Sequence, residues 1–206
     1  LGAVVNQTNE LKPDIVVITG DLVDGTPSEL GDAVALLGDL ESPYGTFFVT
    51  GNHEYYSGAD QWIEFLTSLG IRVLRNETIE LNHNGAPFDL IGVDDWRAAR
   101  SLAGHGYDLK KATKERNTER TSILLSHQPK AIHDAAKAEI DLVLSGHTHG
   151  GQIWPYNFVA HLVHPYVRGL HQHSARTWIY VHKGTGFWGP PVRLGAAAEV
   201  ALLTLQ

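Results

Sequence analysis

Four short segments carry side chains able to bind metal ions or move protons: Gly20-Asp21, Gly51-Asn52-His53-Glu54, Ser126-His127 and Gly146-His147-Thr148-His149. They offer one carboxylate (Asp21), one amide oxygen (Asn52) and three imidazoles (His127, His147, His149) as candidate ligands, with His53 as a further imidazole. A nitrogen and oxygen set without sulfur suits Mn, Fe or Zn in a working site rather than structural zinc. The sequence contains no cysteine, which excludes thiolate metal sites and disulfides. Glycine before Asp21, Asn52 and His147 lets the backbone turn sharply and aim the next side chain at a common point. His147 and His149 are two positions apart. In an extended segment they share a face; in a tight turn they can flank two neighbouring ions. Each segment alone has a plainer reading: Gly-Asp after a strand is ordinarily a turn, and a lone Ser-His ordinarily a satisfied buried histidine. Gly-His-Thr-His-Gly-Gly is specific by itself, and the four together in this order leave little room for chance.

The elements around these segments read as alternating strands and helices, an α/β pattern. Residues 14–19 (DIVVIT), 46–50 (TFFVT), 122–125 (SILL) and 141–144 (DLVL) are short apolar runs of the kind that form buried parallel strands. Each ends directly in one of the four chemical segments. Sites in α/β sheets gather beyond the carboxyl ends of strands, so turns as far apart as Asp21 and His149 are expected to converge. The intervening segments predict helices over 1–11, stopped by Pro13, over 28–40 with Ser28 as N-cap, over 60–69 ended by Gly70, and from Pro129 to about 137. A strand is expected over 71–74. A hairpin over 78–81 and 88–93 turns at Asn84-Gly85. Late strands are expected over 177–181 and 199–205. Residues 94–120 are polar and irregular and give no placement.

Composition narrows the function classes. The chain has 206 residues, suited to a single domain over 1–206, with 43% hydrophobic residues and a formal net charge of -7. With no basic block, broad nucleic-acid binding by phosphate neutralisation is not expected. A phosphoester substrate remains compatible, because bound divalent ions supply local positive charge. No apolar run approaches a membrane span. The sequence has no methionine, not even at position 1, so a trimmed or partial chain is expected.

The order GD, GNHE, SH, GHTH resembles the calcineurin-like metallophosphoesterase superfamily. The wording around it is more similar still to one branch, the YkuE-like bacterial enzymes and the vertebrate transmembrane proteins carrying a metallophosphoesterase domain. The residues that carry this are 12–25 (KPDIVVITGDLVDG), 47–58 (FFVTGNHEYYSG), 92–95 (GVDD), 124–129 (LLSHQP), 144–155 (LSGHTHGGQIWP) and 184–195 (GTGFWGPPVRLG). The resemblance implies an α/β fold of two mixed β-sheets packed face to face and flanked by helices. It implies metal-dependent phosphoester hydrolysis, diesters favoured over monoesters, with two divalent ions (Mn foremost, Fe or Zn as alternatives) activating a hydroxide. In that scheme Asp21 bridges the ions, Asn52, His127 and His147 complete the second ion's shell, and His149 binds the first. His53 binds no metal and acts on the substrate, as general acid to the leaving oxygen or as a transition-state clamp. The family pattern opens with an Asp-x-His motif that this sequence lacks. The first ion is therefore left with Asp21 and His149, and the sheet is expected to lack its first strand. The resemblance also implies a membrane-linked or extracytoplasmic enzyme, associated through an upstream segment and acting on a lipid, wall polymer or nucleotide.

Other residues are weighed against plainer roles. Glu54 is expected to be a solvated glutamate unless it supports the ligands from behind. Asp94-Asp95-Trp96 can reach the site rim or simply pack, and His105-Gly106 can belong to a loop over the pocket. His161, His164, His171 and His173 read as surface or packing residues rather than a substrate channel. Trp154, Phe187 and Trp188 read as core or rim packing, with the exposed aromatics of the turn at 187–191 able to touch a lipid or polymer. Two rival functions use the same residues: a metal-dependent amidase or deacetylase, and a phosphoesterase-like binding module with a decayed site.

Overall fold

The computed structural model describes residues 1–205. Its strands form two sheets. The smaller has the order β1 (Val16–Ile18), β2 (Thr46–Phe48), β3 (Arg72–Val73), all parallel. The larger has the order β4-β5-β6-β7-β9-β8, formed by β4 (Glu77–His83), β5 (Ala86–Gly92), β6 (Ser122–Leu125), β7 (Leu142–Ser145), β8 (Gly169–Gln172) and β9 (Trp178–Val181). It is mixed: β5, β6, β7 and β9 run parallel, while β4 and β8 are antiparallel edges.

Side-chain alternation along the strands builds three layers of core. Phe47 and Val49 from one sheet meet Leu90, Ile123 and Leu125 from the other, so the sheets pack face to face. Phe48 points to the opposite side, into a cluster with Val5 of α1 (Gly2–Glu10), Val34 of α2 (Pro27–Val34) and Trp62 and Leu66 of α4 (Ala59–Ser68). α3 (Asn52–Tyr56) precedes α4 in the chain. On the far side of the larger sheet, Leu124, Val143 and Ile179 pack on Ile132 and Ala135 of α7 (Ile132–Lys137). The unplaced stretch holds α5 (Ala98–Ser101) and α6 (Leu109–Ala112), and Leu109 and Ala112 join that same cluster. The expected two-sheet architecture flanked by helices is present. Gly92 permits the close approach of the layers, since a Cβ there would lie 2.2 Å from Leu74 Cβ.

Four expectations need correction. The N-cap of α2 is Thr26, not Ser28, because Glu29 reaches back to the Thr26 N–H and hydroxyl. That helix tightens into a 3-10 turn at Ala35–Asp39. Residues 199–205 form no strand: the Glu199 N–H bonds the Gly184 carbonyl, but no strand ladder follows among the described residues. The smaller sheet is parallel throughout its described strands rather than mixed, and the four buried strands divide between the sheets, β1 and β2 in one and β6 and β7 in the other.

Candidate metal centre

The carboxyl ends of β1 and β2 face those of β6 and β7 across the sheet interface, and the four chemical turns meet there. Oxygen and nitrogen atoms of Asp21, His127 and His147 lie within 4.8 Å of one another. His127 Nε2 is 2.9 Å from Asp21 Oδ2 and 3.0 Å from His147 Nδ1. His147 Nδ1 is 3.9 Å from the same carboxylate oxygen.

Each group is held by its turn. Gly20 and Gly51 touch: a Cβ on Gly20 would lie 2.4 Å from Gly51 N, and one on Gly51 would lie 2.2 Å from Asp21 Oδ1. Glycine is therefore required at both positions by space. Asp21, His147 and His149 all sit in left-handed backbone, at φ of 53°, 68° and 50°. Such backbone is unfavourable for residues with a side chain and persists where the surroundings over-determine it. His127 is fully buried and donates from Nδ1 to the Thr19 carbonyl at 2.7 Å. That bond fixes the tautomer and leaves Nε2 facing Asp21 and His147, the usual way a protein orients a ligating imidazole.

Glu54 is not solvated. It is wholly buried and accepts the backbone N–H groups of Asp21 (3.0 Å), Leu22 (2.7 Å) and Gly51 (2.6 Å). One carboxylate thus ties the turn after β1 to the turn after β2. Burial, reinforced by the nearby Asp21 charge, pushes its pKa up against these N–H bonds. Burial also pushes Asp21 up, but His127 and its hydrogen bonds outweigh that and hold Asp21 well below the usual carboxylate range. Burial opposes charge on His127, yet Asp21 raises its pKa to about 9. Burial lowers His147, and burial together with Arg193 lowers His149 to about 4.

The donor set fits a metal ion on one further observation. Asn52 is buried, and its Oδ1 accepts no hydrogen bond. Buried amide oxygens are nearly always partnered, so an orphan on the residue between Gly51 and His53, both of which lie against the Asp21 carboxylate, has the character of a ligand. His149 is placed differently. It lies outside the trio of converging atoms, and its Nδ1 is 3.2 Å from Arg193 Nη2. His53, on α3, is half-buried at the rim. Its N–H donates to Asp21 Oδ1 at 2.9 Å, and its Nδ1 is 3.2 Å from Asp24 Oδ1.

The remaining candidates divide. Asp94 is structural: buried, it receives a two-pronged bond from Arg75 at 3.0 and 2.8 Å. Asp95 accepts from Gln128 Nε2 at 2.8 Å, one residue beyond His127. Trp96 lies at the surface under Lys130 Nζ, 4.5 Å from its ring centroid. His105 is pinned between Tyr55 and Asp60. His164 touches His147 edge-to-face, with ring centroids 5.2 Å apart. Its pKa falls to about 4, through burial and the neighbouring His147. His171 stacks on Tyr166, and His173 bonds to the Tyr166 hydroxyl. His161 is exposed. Asp24 and Arg193 were missed by the sequence reading, although Asp24 lies within the motif run 12–25.

Comparison with known proteins agrees with this geometry. The chain is 46% identical over 212 residues to a cattle transmembrane protein with metallophosphoesterase domain, covering 98% of this chain and 48% of that protein. It is 42% identical over 203 residues to an uncharacterized metallophosphoesterase of Helicobacter pylori, covering 98% and 54%. With the Bacillus subtilis metallophosphoesterase YkuE it shares 33% over 217 residues, covering 100% and 72%. It thus spans about half the length of the first two relatives. Among solved structures, the NAD nucleotidase of Haemophilus influenzae superposes with a TM-score of 0.56 at 19% identity, covering 89% of this chain and 42% of that one. The phosphopantetheinyl hydrolase of Mycobacterium tuberculosis gives 0.53 at 11%, covering 82% and 78%. Both show a shared fold. The model of the calcineurin-like phosphoesterase family matches residues 1–151, and the chain belongs to that family.

Proposed function

We propose that this chain carries the catalytic centre of a metal-dependent phosphoester hydrolase. The observation that carries the reading is the convergence of Asp21, His127 and His147; the buried, unpartnered Asn52 Oδ1 supports it. Asp21, Asn52, His127 and His147 would hold one divalent ion, and Asp21 with His149 would reach a second; Mn suits this set, with Fe or Zn as alternatives. Bound ions in such a site lower the pKa of water and offset charge on phosphoryl oxygens.

The chain's own residues supply the rest. Asp24 accepts from His53 Nδ1–H and leaves Nε2 as the free edge of the ring, which carries a second proton when the ring is an imidazolium paired with that carboxylate. A proton on Nε2 passes to the leaving oxygen of the ester, which makes His53 the general acid. Family membership supports phosphoester hydrolysis, and a preference for diesters over monoesters belongs to the same proposal. Substrates in view are a lipid, a wall polymer or a nucleotide. The cattle relative is named a transmembrane protein, which favours a membrane-associated or extracytoplasmic setting. Among the described residues, no helix is long and apolar enough to cross a membrane.

The test is Mn(II) titration followed by turnover of an aryl phosphodiester and an aryl phosphomonoester. His147→Ala is expected to abolish tight Mn(II) binding. His53→Ala is expected to keep Mn(II) binding and lower kcat by about 100-fold or more. Absence of stoichiometric Mn(II) binding to the chain would overturn the reading.

A further inference from the structure

The surface beside the centre reverses the usual helix pattern. α8 (Asn157–Val163) turns Ala160 inward and holds Phe158, Leu162 and Val163 in solvent, with Leu162 86% exposed. A surface helix of a soluble protein ordinarily does the opposite. Trp154 and Tyr156 precede it, both exposed, and Trp188 meets the Tyr156 ring edge-to-face with centroids 6.0 Å apart. Single exposed apolar residues need no explanation, but a contiguous group of this kind marks an interaction surface.

The group is held out, not merely left out. The buried side chain of Gln152 accepts the Trp188 N–H at 2.9 Å and donates to the Trp188 carbonyl at 2.8 Å. α8 sits so close to the metal turn that a Cβ on Gly151 would lie 2.6 Å from Asn157 Cα. Its C-cap, His164, contacts His147. The apolar face and the metal centre are therefore joined through rigid neighbours.

Charge identifies the occupant. The chain holds 23 acidic residues, yet none lies between Asp141 and Glu199, the stretch that contains the whole face. That stretch carries Arg168, Arg176, Lys183 and Arg193. Arg176 and Lys183 pair with the two acids that bound it, and Arg168 is exposed, donates to the Gly195 carbonyl and forms no ion pair among the described residues. Tryptophan, tyrosine and aliphatic side chains on a stretch of chain that carries arginines and lysine but no acid match the interface of an anionic bilayer. We infer that this face docks the protein onto an anionic lipid bilayer, with the metal centre turned toward the membrane. The inference does not depend on phosphoester turnover.

Sedimentation with vesicles tests it, using phosphatidylcholine alone and phosphatidylcholine mixed with phosphatidylglycerol. Expected are binding to the anionic vesicles, weaker binding at high salt, and a blue shift of tryptophan emission. Phe158→Asp with Leu162→Asp is expected to weaken binding at least tenfold while leaving the circular dichroism spectrum and Mn(II) binding unchanged, since both side chains are exposed. No vesicle binding by the unaltered chain overturns the inference, as does binding that the double variant retains. A dimer that the double variant dissociates, without vesicle binding, assigns the face to a second copy instead. Turnover of a soluble aryl ester by both forms reports separately on the enzymatic reading.

Discussion

The two flanks of the metal centre are built differently. On one, Asp21, His127 and His147 converge within 4.8 Å, Asn52 adds a buried oxygen, and Glu54 and the Thr19 carbonyl support them from behind. On the other, His149 stands apart with the Arg193 guanidinium at its Nδ1. The first flank is a dense donor cluster whose polar groups are fixed before any ion arrives. The second offers one neutral imidazole beside a guanidinium, a cation that opposes an arriving metal ion. Within this chain, one ion is expected to bind tightly and a second far more weakly, which a Mn(II) titration resolves as two classes of site.

Substitutions that break the dense flank should have the largest effects. Gly51→Ala forces a methyl group onto Asp21 Oδ1. Overpacking of this kind costs about 1–3 kcal/mol, and because Asp21 must move, tight Mn(II) binding should disappear in the same titration. Glu54→Gln turns one acceptor into an amide N–H against a backbone N–H donor. That costs about 2 kcal/mol and lowers the melting temperature by about 4–8 °C. An unchanged melting curve would show that the two turns do not depend on this carboxylate. Asn52→Ala separates ligand from scaffold. The orphaned Oδ1 makes no hydrogen bond, so stability should change by only about 1 kcal/mol, while Mn(II) affinity falls about tenfold or more. Equal loss of both would make Asn52 structural. Arg193→Gln acts on the sparse flank, where Arg193 also donates to the carbonyls of His149, Lys183, Gly184, Gly186 and Ala196, so its melting curve is read beside the titration. Removing the cation beside His149 should tighten the weaker Mn(II) site by roughly threefold and leave the tighter one unmoved.

Much of the dense flank could be read from sequence because it is local. The strand at 122–125 was found residue for residue, since an all-apolar run leading into Ser126-His127 has few other readings. The hairpin followed from Asn84-Gly85. What escaped depends on distance in the chain. Glu54 finds its N–H donors at Asp21 and Leu22, so nothing near it predicted burial. The division of the strands between two sheets is set by packing of Phe47 and Val49 on Ile123 and Leu125, which period-two patterns cannot pair. α8 hides for another reason: its apolar side chains face water, so hydrophobic periodicity points the wrong way. α3 is one turn long and falls inside a motif that reads as chemistry before it reads as structure.

The left-handed backbone at Asp21, His147 and His149 sets a direction for sequence drift. Glycine at any of these positions would relax the chain, by roughly 1–2 kcal/mol each. A lineage selected only for a sturdy fold would slide easily toward glycine there, gaining heat tolerance as it lost its ion. On the proposed reading, ligand chemistry outweighs ease of folding where an aspartate and two histidines occupy such backbone. Heat-resistant variants of this protein should therefore be screened for metal binding before being judged improved.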